Sequence, residues 1–193
     1  IAPDGTPEYI SEYQHFTSCD PVATDGQYAY VTLRSANECN LNGGIDVLEV
    51  IDVSDIQNPV LMRQYEMEGP LGVGIRNDVL FVCDVEAGLK IFNAQNAPNL
   101  TPITTLDIEA RDVIMLETTA LVLAPNKIFQ VDFSDINDIK ILIEELLDID
   151  RNNINDRQNI IDMINGLIIN CINLSENNRE LYLTYSETVT NIN

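Results

Sequence analysis

Gly88-Leu89-Lys90-Ile91-Phe92-Asn93-Ala94-Gln95-Asn96-Ala97-Pro98 is the stretch from which the fold can be read. It is a short apolar run of β type, closed by Asn93 and followed by a turn containing Asn and Pro. Two other segments share this grammar. Val47 to Pro59 reads Val-Leu-Glu-Val-Ile-Asp-Val-Ser-Asp-Ile-Gln-Asn-Pro, and Lys127 to Asp138 reads Lys-Ile-Phe-Gln-Val-Asp-Phe-Ser-Asp-Ile-Asn-Asp. Asp52, Asn93 and Asp132 mark the same point in each, 41 and then 39 residues apart. A period of about 40 residues with several short strands per unit is the mark of a β-propeller blade.

Working outward, each unit divides into four strands. The first has Val22 to Thr24, the turn Asp25-Gly26, Tyr28 to Leu33, a long loop from Arg34 to Gly44, Asp46 to Asp52, and Val60 to Met67. Asp-Gly between two β runs is a strong hairpin signal. The second unit reads Gly72 to Arg76, Val79 to Asp84, Leu89 to Phe92 and Thr101 to Asp107, with Asn77-Asp78 as its first turn. The third reads Asp112 to Leu116, Ala120 to Ala124, Ile128 to Phe133 and Ile139 to Glu145. The expected fold is therefore all-β, with antiparallel blades over residues 19–70, 71–110 and 111–147.

The two ends differ from these units. Pro7 to Tyr13 lines up with Pro59 to Tyr65, so residues 1–18 read as the outer strand of a preceding blade and its connector. Such a strand needs inner neighbours, from further blades upstream or from the C-terminal part of the chain. Residues 148–193 are rich in Ile and Asn. Within them Asp156 to Leu167 has the spacing of a short helix, and Ile168 to Leu174 with Glu180 to Tyr185 reads as a hairpin of a partial fourth blade.

Ten basic residues against 31 acidic ones leave a formal charge of −21. That field repels phosphate backbones and anionic lipid, which argues against nucleic-acid and membrane-surface partners. No apolar run reaches the roughly 20 residues of a membrane span. Nothing in the sequence calls for a cofactor.

With the units placed, the chain resembles the LVIVD-repeat β-propellers, a family of bacterial surface proteins and lipoproteins. Leu89-Lys-Ile-Phe-Asn93 and Val47 to Ser54 match its repeat core. His15-Phe-Thr-Ser-Cys-Asp-Pro-Val22, continued by Tyr28-Ala-Tyr-Val-Thr-Leu-Arg34, looks like its late blades. The resemblance spans about residues 7 to 145 and leaves out the tail. It implies export to the cell surface or exterior, possible lipid anchoring, upstream blades and no established catalysis.

Few residues carry chemistry. One blade edge should gather Asp20, Arg34, Asp84, Arg111 and Asp112 into a mixed polar rim fit to bind a protein or a glycan. Solvated loop ends account for the same residues without a ligand. His15, the only histidine, reads first as structural and second as a member of that rim. No Gly-x-Ser-x-Gly elbow accompanies it, so a Ser-His-Asp site is rejected. Cys19, at the start of an inner strand, and Cys39, in a loop at the same end of the same blade, are expected to pair as a disulfide, the alternative being two unpaired thiols. Asp148, Asp150, Asn152 and Asp156 imitate a calcium loop, but Asn153 stands where its glycine belongs and Asn159 where its bidentate Glu belongs. The expected function is a non-catalytic surface binding or scaffolding module. The alternatives are a propeller enzyme with its site at the pore mouth, or a calcium-dependent adhesion module.

Overall fold

The computed structural model describes residues 6, 8–14, 21–35, 44–85 and 87–146. The chain forms twelve strands among them and no helix. These are β1 Val22–Thr24, β2 Tyr28–Leu33, β3 Val47–Asp52, β4 Val60–Glu66, β5 Val73–Arg76, β6 Val79–Cys83, β7 Leu89–Asn93, β8 Thr101–Leu106, β9 Asp112–Met115, β10 Thr119–Leu123, β11 Lys127–Asp132 and β12 Lys140–Leu146. They make three antiparallel four-stranded meanders in chain order: β1 to β4, β5 to β8 and β9 to β12. The expected helix over 156–167, the tail hairpin and the partial fourth blade lie outside the described residues.

The units repeat in detail. Asp52, Asn93 and Asp132 all end the third strand of their sheet. Their side-chain oxygens accept the amide of the residue two further on, Ser54, Gln95 and Ser134, at 2.8 to 2.9 Å. These are Asx turns, and they explain why a carboxylate or carboxamide recurs there. Asp55 and Asp135 repeat the device on Gln57 and Asn137. Bonds from Ser54 hold the Asp52 carboxyl below its usual pKa, and bonds from Asn58 and the Gln57 amide do the same for Asp55. Each third-to-fourth strand pairing also shifts register one residue before the marker, at Val50/Ile51, Ile91/Phe92 and Gln130/Val131. A bulge at one fixed place increases the local twist equally in all three sheets.

Alternation along the strands gives every sheet two apolar faces. Tyr30, Leu48 and Val50 of the first sheet pack with Val73, Leu80, Val82 and Phe92 of the second. The second sheet's other face, with Phe81, Cys83, Leu89 and Ile91, packs on Val113, Val122, Phe129 and Val131 of the third. β1 lies beside β5, and β5 beside β9. Burying a side chain of this size is worth about 1.5–3 kcal/mol, so these two interfaces carry most of the stability.

Polar links fix the sheets against each other. The Tyr65 hydroxyl donates to the Pro98 carbonyl and accepts from the Leu100 amide, both at 2.7 Å. Arg63 reaches Asn99, and Arg76 pairs with Glu117 across the next interface. Gly72 is the closest approach: a Cβ there would stand 2.6 Å from the Asp112 Cα and 3.0 Å from the Arg111 carbonyl oxygen. Gly72→Ala should therefore push the second and third sheets apart and destabilise the chain by about 1–3 kcal/mol. Gly69→Ala, with open space around it, should change little. Urea unfolding of both variants checks this; equal effects would contradict it.

Candidate functional site

The two ends of the strands are built differently. At one end, third and fourth strands are joined by seven residues in every sheet (53 to 59, 94 to 100, 133 to 139). At the other, the second-to-third connections run 13, 5 and 3 residues (34 to 46, 84 to 88, 124 to 126). The variable end also carries the links between sheets. It is stitched by backbone bonds: Cys83 N to Gly72 O at 2.9 Å, Gly72 N to Arg111 O at 3.0 Å and Arg111 N to Leu123 O at 2.8 Å. Thr32 Oγ1 donates to the Leu71 carbonyl, tying the first sheet to the start of the second. A clasp from Ser35, whose amide and hydroxyl donate to the Asp46 carboxylate at 3.0 and 2.7 Å, closes the base of the longest loop.

Four of the rim residues expected from sequence are described, and all stand at this end. Arg34 is half-buried directly after β2. Arg111 is exposed and pairs with Glu109 at 2.9 Å. Asp112, also exposed, accepts the Val113 amide at 2.9 Å. Asp84 differs from these. Its side chain is 0% exposed and accepts the Glu68 amide at 3.0 Å, the Gly69 amide at 2.7 Å and the Lys90 ammonium. It stands in the 84–88 connection of the second sheet and fastens the link from the first sheet through the Glu68 and Gly69 amides, so it does not line the rim. Nothing in the residue pattern marks this role, because two of its donors are backbone amides. His15, Asp20, Cys19 and Cys39 lie outside the described residues, as do Asp148, Asp150, Asn152 and Asp156.

Around Asp84 the chain turns sharply. The Ala87 amide bonds to the Asp84 carbonyl at 2.8 Å and the Gly88 amide to the Val85 carbonyl at 3.1 Å. Val85 has φ +42°, costly for a β-branched residue, and bridges to Ala110 ahead of the third sheet. Cys83, just before it, is buried, and burial followed by the Asp112 charge pushes its thiol pKa up. It stays protonated at neutral pH and is a packing residue. Among the described residues no group of three or more His, Cys, Asp or Glu side chains could hold a metal ion. None of their helices is long and apolar enough to cross a membrane, there being no helix among them.

A second feature lies on the face of the first sheet that turns away from the second. Residues 8–14 carry no regular secondary structure, so the strand expected at Pro7 to Tyr13 is absent over the described part. The segment crosses that face, where Tyr13 packs against Val31, Leu33, Val47 and Ile51. A cavity of about 380 Å³ remains there, lined by Tyr13, Val22, Ala29, Val31, Ile51 and Ile56 among others. Glu49 lies on the same face, paired in register with Val31 and 3% exposed. Its Oε1 accepts Gln64 Nε2 at 2.8 Å, and its Oε2 has no hydrogen-bond partner. Sequence reading missed Glu49, since a Glu within an apolar strand is the sole trace it leaves.

No protein-family model matches the chain, and no curated protein matches it. Among solved structures the chain is similar to the computationally designed Ika4 protein, over 70% of this chain and 78% of that one, at 9% identity and a TM-score of 0.49. So low a score carries no weight for fold or function.

The Asp84–Lys90 pair makes a direct prediction. Asp84→Asn should destabilise the chain by about 3–5 kcal/mol, because it strands a half-buried ammonium. Adding Lys90→Met should restore part of that loss. A double-mutant cycle from denaturant midpoints tests it, and strictly additive effects would contradict the pairing.

Proposed function

We propose that the three sheets are consecutive blades of a β-propeller of the LVIVD-repeat kind, serving as a non-catalytic binding or scaffolding module outside the cell. The observation that carries the binding reading is the contrast between the strand ends. In repeat scaffolds the invariant turns maintain the frame, while connections of changing length form the surface that meets a ligand. Here the seven-residue turns are constant and the 13-, 5- and 3-residue connections are not. The blade reading is supported by the shared strand order, the common bulge position and the adjacency of β1, β5 and β9.

The chemistry of that end narrows the partner. Among the described residues of this end, Glu66, Glu68, Asp107, Glu109 and Asp112 are exposed, together with Arg111. A basic protein surface suits this rim better than an anionic glycan, and long-range attraction would speed its encounter at low salt. The test is to screen the purified chain against basic and acidic surface proteins and glycans, then map any complex by hydrogen exchange. Protection is expected at 44–46, 67–72 and 107–112. Protection confined to the seven-residue turns at 53–59, 94–100 and 133–139 would overturn the assignment.

A further inference from the structure

We draw no further inference here: the strongest candidate, the apolar outer face of the first sheet with its cavity beside Tyr13, carries nothing because nothing among the described residues shows what covers it.

Discussion

A four-stranded meander with two apolar faces cannot stand alone in water, and everything else in this chain follows from how those faces are covered. Each sheet is too thin to have an inside of its own. Its strands alternate, but both sets of side chains are apolar: Leu80 and Val82 face one way and Phe81 and Cys83 the other, all of them buried. The middle sheet is satisfied on both sides. Each flanking sheet packs on another described sheet through one face; on the other, the first has a cavity beside Tyr13, and the third has Ile114 and Leu123 exposed by 47% and 42% beside buried Leu121 and Ile128.

The covering also explains where charge is tolerated. Asp84 is fully buried because the connection it fastens must lie flat between two packed sheets, and two backbone amides with one ammonium meet its demand for donors. Such a pair adds little stability over an apolar substitute, but it fixes which geometry the connection adopts. Glu49, buried to a similar degree with one oxygen unmatched, is the same kind of group without its counterpart.

Much of this was legible in the sequence, for local reasons. The strand ends came within about two residues because each third strand is closed by an Asx turn, a device confined to three neighbouring residues. β7 runs one residue beyond its expected end at Phe92, to Asn93, because the marker residue still pairs, with Val79 and Thr101. Long-range matters were less visible. Asp84 was expected on a solvated rim because its acidity is evident from sequence, whereas its donors at 68, 69 and 90 converge only after folding. The strand expected at Pro7 to Tyr13 rests on its likeness to β4, yet likeness supplies no neighbour to pair with, and the described residues 8–14 form no strand. The low polarity of β2 and β3 likewise hides which of their faces lacks a covering sheet.

The middle sheet, closed on both faces, anchors the stability of its neighbours. Native-state hydrogen exchange under mild denaturant measures this residue by residue. Amides of Leu80, Phe81, Val82 and Ile91 should exchange slowest and only through global unfolding. Those of β2, β3 and β10 should exchange through smaller openings. Should the first or third sheet retain its protection after the β6 and β7 amides have exchanged, the sheets would be independent units and the middle one would not anchor them.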